Sequence, residues 1–137
     1  MTDKMVTDIH AMHAKFGVHD AIANFTPSMA KAFLKFRLAC IDEELNETRD
    51  AVADGDPEEV VDGLIDILVF TIGTLDLLSI NTEKAWDEVV ASVRTKEVGV
   101  KPGRPNPHGL PDLLKPEGWK PPSHKGNHGK LKEIFNA

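Results

Sequence analysis

The stretch that decides the fold runs from Asp42-Glu43-Glu44-Leu45-Asn46-Glu47, through Asp54-Gly55-Asp56-Pro57, to Glu58-Glu59-Val60-Val61-Asp62-Gly63-Leu64-Ile65-Asp66. Residues three and four apart share a helix face, so Glu43, Glu44 and Glu47 lie together, as do Glu59, Asp62 and Asp66. Gly55 is a helix stop, and Asp56-Pro57 starts the next helix at once. A link this short makes the two helices antiparallel neighbours. Glu47 lies about two turns before the bend and Asp62 somewhat over one turn after it, so the two acidic patches sit at similar heights.

Stepping back from Glu47 at helical spacing reaches Glu44 or Glu43, then Cys40, Phe36 and Phe33, so the first patch continues an apolar stripe. Asp62 and Asp66 are likewise followed by Val69, Phe70 and Gly73. The carboxylates are therefore expected to face inward. Acids packed between helices repel one another and lose hydration, which is costly unless a cation sits among them. Oxygen-only ligands favour a hard ion, Mg2+ or Mn2+. A solvated acidic face is the plain alternative, and for any single residue it is the first reading. Two acid sets in register with apolar stripes, joined by a tight turn, favour the metal site.

At 137 residues the chain has room for one core. Its formal charge of −6 argues against a general binder of nucleic-acid polymers or anionic membranes, which use basic surfaces. The single Cys40 fits a core position in a reducing compartment, and Met1-Thr2-Asp3-Lys4 opens no export signal, so a cytoplasmic setting is expected. The most apolar run, Leu64 to Ile80, is interrupted by Asp66 and Asp76 and reads as a core helix rather than a membrane span. A helix apolar all round needs more cover than so small a chain supplies, so a partner subunit is expected.

Taken in order, Met5, Ile9, Met12 and Phe16 place a short first helix before Gly17, with His10 and His13 on one of its faces. The spacing allows a metal pair, but helix histidines without a third ligand are commoner. Residues Val18 to Phe25 are a connector with no clear pattern. Thr26-Pro27 caps and opens a long helix to about Asp54, and the next continues from Pro57 to about Ser79. Asn81 or Thr82 caps a fourth helix to about Lys96, with Trp86, Val89, Val90 and Val93 as its apolar side. Its basic end, Arg94-Thr95-Lys96, suits a helix C-terminus and would equally suit a polyphosphate. The helical core thus spans 1–98, and a proline- and glycine-rich tail, 99–137, follows. Its Leu113, Leu114 and Trp119 predict packing on the core or on a second subunit, and only Leu131 to Phe135 reads as regular structure.

Glu43-Glu44-Leu45-Asn46-Glu47, followed by an acidic helix entering Asp66-Ile67-Leu68-Val69-Phe70, resembles the EExxE…ExxD arrangement of the all-α nucleoside triphosphate pyrophosphohydrolases. That group holds MazG-like enzymes, phosphoribosyl-ATP pyrophosphohydrolases and dimeric dUTPases. Trp86-Asp87-Glu88-Val89-Val90 leading to Lys96 is similar to the family's fourth helix, and Leu114-Lys115-Pro116-Glu117-Gly118-Trp119 resembles a tail of some members. The resemblance implies an all-α, four-helix MazG-like bundle that cleaves a (d)NTP between its α- and β-phosphates, giving monophosphate and pyrophosphate, a role in keeping the nucleotide pool clean. It implies Mg2+ held by Glu44, Glu47 and Asp66, with Glu43 binding a second metal or activating water. It also implies a nucleoside triphosphate as substrate, Lys96 near its phosphates, and a homodimer or homotetramer. Arg94 and Arg37 are further substrate-binding candidates.

Two positions depart from the pattern. Gly63 stands where the family's ExxD puts an acid, and Asp62 is the natural replacement; a Glu59-Asp62 pair is the other option. Val93 stands where the family often has an Asn. These two residues give most support to the alternative, a non-catalytic helical module that binds a metal or a partner. A di-iron bundle is disfavoured, because neither acidic helix carries a histidine.

Overall fold

The computed structural model describes residues 2–104 and 106–136. It is all-α in class. Helix α1 (Thr2–Lys15) is followed by α2 (Val18–Ala23), α3 (Pro27–Asp54), α4 (Pro57–Leu77) and α5 (Thr82–Val93). Strands β1 (Glu97–Gly99) and β2 (Asp112–Leu114) and a last short helix, α6 (Leu131–Phe135), complete the described elements.

The start signals act as their chemistry requires. Thr26, Asp56 and Asn81 each accept a hydrogen bond from the backbone N–H three residues on, and Pro27 and Pro57 occupy the first helical turn. Gly55 ends α3 at φ 67°, a left-handed conformation that costs glycine nothing. α3 and α4 consequently fold back on each other as the largest packing pair, and α1 packs on α4. Gly63 is what lets the hairpin close tightly. It is buried against Thr48 of α3, and a Cβ at position 63 would overlap the Thr48 hydroxyl.

Three expectations needed revision. The connector after Gly17 is helical, with Ile22 of α2 buried; six residues are too few for a visible period. α4 stops at Leu77 rather than Ser79, which takes φ 60° while the Ile80 N–H returns to the Leu75 carbonyl. α5 stops at Val93 rather than Lys96, because the Ser92 carbonyl accepts from the Thr95 hydroxyl and the Trp119 Nε1–H, and the chain leaves extended. It then pairs antiparallel with a tail segment, Glu97 opposite Leu114 and Gly99 opposite Asp112. α5 itself is bent 118° away from α4.

The tail docks on the helices at two places. The Ser92 hydroxyl donates to the Lys120 carbonyl, beside the Trp119 contact. Farther on, the Asn127 side chain both accepts from Asn81 N–H and donates to Asn81 C=O, and Lys130 N–H caps the Leu78 carbonyl at the end of α4. Gly129 permits that approach, since a Cβ there would collide with the Leu78 carbonyl oxygen. Ile134 of α6 is 1% exposed and anchors the end of the tail. Among the described residues no single helix is long and apolar enough to cross a membrane.

Candidate functional site

The acidic residues lie on the half of the α3–α4 hairpin nearest the bend. Glu44 is half-buried, while Glu43, Glu47, Asp62, Asp66 and Glu59 are exposed. The inward orientation expected for them is therefore corrected for the single chain: Thr48, Ala51 and Gly63 are the residues buried in this part of the hairpin. An apolar stripe on a helix does not bury its acids unless a further helix covers them.

The patches nevertheless meet across the hairpin. Glu44 is pushed above the ordinary carboxylate range, first by loss of hydration and then by the charges of Asp66, Glu47 and Glu43. The contribution from Asp66 comes from the opposite helix. Toward the bend, Glu47 and Glu59 line a hollow of about 260 Å3 together with Asp50, Asp54 and Asp56. Asp56 is partly committed there, because one of its oxygens caps α4. Asp62 is exposed one residue before Gly63, and it neither lines that hollow nor figures among the charges acting on Glu44. The donor set is all carboxylate, and the repulsion that adds to the loss of hydration at Glu44 is what a divalent cation would relieve, so the residues present fit Mg2+ or Mn2+.

The basic candidates make contacts of their own. Arg37 donates through Nε to the Thr74 hydroxyl (3.0 Å) and through Nη2 to the Phe70 carbonyl (3.2 Å), with its guanidinium 4.9 Å from the Phe70 ring. Burial lowers its pKa from the ordinary value. Arg37, expected to bind substrate, braces α3 against α4 through these two hydrogen bonds. Gly73 makes room for it, since a Cβ there would meet Nη2. Arg94 is exposed at the end of α5, and Lys96 lies 5.3 Å from the Trp119 ring centroid, with Lys115 at 4.9 Å. The aromatic residues Phe33, Phe36, Trp86 and Trp119 lie in different surroundings. Phe33 and Phe36 pair with each other, Trp119 docks on the end of α5, and Trp86 lines an apolar groove of about 380 Å3 with Leu68, Ile72 and Leu75.

The family model of phosphoribosyl-ATP pyrophosphohydrolase matches residues 13–93, from the last turn of α1 to the end of α5. The chain belongs to this family. It is thereby part of the MazG-like all-α NTP pyrophosphohydrolase superfamily, whose members hydrolyse a phosphoric anhydride of a nucleotide. No curated protein matches the chain. The match takes in both acidic patches and leaves out the first turns of α1 and the whole tail.

One cluster lay outside the sequence reading. Asp76, near the end of α4, accepts from His10 Nδ1 on one oxygen (2.7 Å) and from His13 Nδ1 (2.7 Å) and His19 Nε2 (2.8 Å) on the other. Burial alone would push the Asp76 carboxyl up; the three imidazole hydrogen bonds outweigh it and hold the group below the ordinary range. Two sequence signals pointed here, the His10/His13 pair at i, i+3 and an acid interrupting an apolar helix. Nothing in the sequence joined them across more than sixty residues.

Proposed function

We propose that the acidic face of the α3–α4 hairpin is a Mg2+-dependent pyrophosphohydrolase site that converts a (deoxy)nucleoside triphosphate to its monophosphate and pyrophosphate. The observation that carries this reading is the crowding of Glu44 by Asp66 from the facing helix and by Glu43 and Glu47 from its own. It joins both halves of the family's acidic pattern in one place. Glu44, Glu47 and Asp66 would hold Mg2+, with Asp62 as the next ligand and Mn2+ as a substitute. Bound there, the ion would neutralise phosphate charge and lower the pKa of water.

The chain's own residues supply the rest. Glu43, exposed and on the same face, takes the proton of the water that attacks the α-phosphorus, and the bond to the bridging oxygen of the β-phosphate breaks. Lys96 and Arg94 at the end of α5 are the cations offered to the leaving phosphates. The reading includes a homodimer or homotetramer, supported by the exposure of Leu64, Ile65 and Leu68 on α4 and of Phe36 on α3. A second hairpin over this face would bury the acids as their stripe leads one to expect. A cytoplasmic setting is the matching location for a nucleotide substrate.

The test is pyrophosphate release from the common NTPs and dNTPs, dUTP and phosphoribosyl-ATP, the compound in the family's description, each with Mg2+, Mn2+ or EDTA. Metal-dependent release is expected from at least one. Silence across the panel in folded protein overturns the reading in favour of a binding module.

A further inference from the structure

We propose that His10, His19 and Asp76 form a site for a transition-metal ion of the zinc, cobalt or nickel class, with His13 orienting the carboxylate. Ligand atoms of His10, His19 and Asp76 all lie within 4.8 Å of one another. They come from α1, α2 and α4, brought together by the left-handed turn at Gly17 and by the packing of α1 on α4. The site is separate from the acidic face. Asp76 is ten residues beyond Asp66 on the same helix, a rise of roughly 15 Å.

The chemistry of the cluster exceeds what a hydrogen-bonded brace requires. A buried carboxylate asks only for N–H or O–H donors, which Asn, Ser or Lys supply as well. Imidazoles are the donors that also coordinate borderline metals, and a two-nitrogen, one-oxygen set with water in the fourth position is a tetrahedral arrangement suited to them. Hard Mg2+ has no preference for such nitrogen donors.

The geometry and exposure agree with this use. Tetrahedral ligands about 2.0–2.1 Å from an ion are roughly 3.3 Å apart, against 2.7 and 2.8 Å between the nitrogens and oxygens here. Coordination thus requires the cluster to open by about half an ångström, which His10 and His19 can provide. Their side chains are 63% and 29% exposed, so an ion reaches them from solvent. Asp76 and His13, at 9% and 6%, are fixed by packing. The His13 Nδ1–H to Asp76 bond is the outer contact that aims a ligating carboxylate. Bound metal would clip α1 and α2 to α4 and stabilise the fold through its affinity for the folded state.

The test is Co2+ titration of the EDTA-stripped, tag-free full chain, followed by visible absorption and by thermal melting. Wild type is expected to develop the d–d band of a four- or five-coordinate ion, saturating at one equivalent and distinct from the weak absorption of octahedral Co2+ on the acidic face, to lose it to Zn2+, and to melt higher when loaded. His19→Ala and Asp76→Asn should each lose the band and weaken Co2+ binding by roughly tenfold or more, since even outer contacts carry that much. His19 is partly exposed, so its variant keeps the test decisive should Asp76→Asn fold poorly. Asp66→Asn should retain the band unchanged. Absence of a band in wild type, or a band that persists in His19→Ala, overturns the site; persistence assigns the ion to His108, His124 or His128 instead.

Discussion

The two ends of the α3–α4 hairpin carry acids under opposite conditions. Near the bend, loss of hydration and then the charges of Asp66, Glu47 and Glu43 raise the pKa of Glu44. At the far end, Asp76 is more enclosed, yet three imidazoles hold its pKa down. The same residue class in one hairpin is thus left uncompensated in one place and fully compensated in the other. Uncompensated charge in a folded protein points to something that arrives later, such as a cation or a substrate with its cation. Compensated charge points to structure, or to a site that is already assembled.

The largest effect that would break this contrast is catalytic. Glu47→Gln and Asp66→Asn should each lower turnover by roughly a hundredfold or more while leaving urea stability within about 0.5 kcal/mol, because both side chains are exposed. Unchanged turnover in either would remove the acidic face from the chemistry. Next comes stability at the other end. In EDTA, Asp76→Asn should cost about 1–3 kcal/mol by removing the charge and putting an amide N–H where one carboxylate oxygen accepts from imidazole, read from denaturant midpoints. Restoring the family's acid with Gly63→Asp should cost about 1–3 kcal/mol as well, since the new Cβ collides with Thr48, and should not raise activity. The smallest effect sharpens the comparison most: Glu44→Gln, which removes one of the crowded charges, should leave stability unchanged or raise it by up to about 0.5 kcal/mol. A loss above 1 kcal/mol there would mean that Glu44 has a partner in the folded chain.

Sequence reading went farthest where one residue's local chemistry sets the outcome. Thr26, Asp56 and Asn81 cap their helices, Gly55 closes α3, and the short link makes α3 and α4 neighbours, as each residue type predicts. The acid pattern and the family follow from the same stretch. Features settled by tertiary contact were not legible. Gly63 reads as a defect in the acidic motif until Thr48 is seen against it. Arg37 reads as a phosphate ligand, and its bracing bonds to Thr74 and Phe70 show only in the fold. The three-residue strands are too short to carry a period, and the exposure of the acids depends on what covers the hairpin. Asp76 was visible only as an interruption, since its partners lie on two other helices.

The central claim is that this chain cleaves a nucleotide between its α- and β-phosphates at the acidic face. Phosphorus NMR of the products, with Mg2+ and the best substrate from the panel, tests it most directly. The account predicts nucleoside monophosphate and pyrophosphate from wild type, and neither from Asp66→Asn. Nucleoside diphosphate with orthophosphate, or equal product formation by the Asp66 variant, would contradict it.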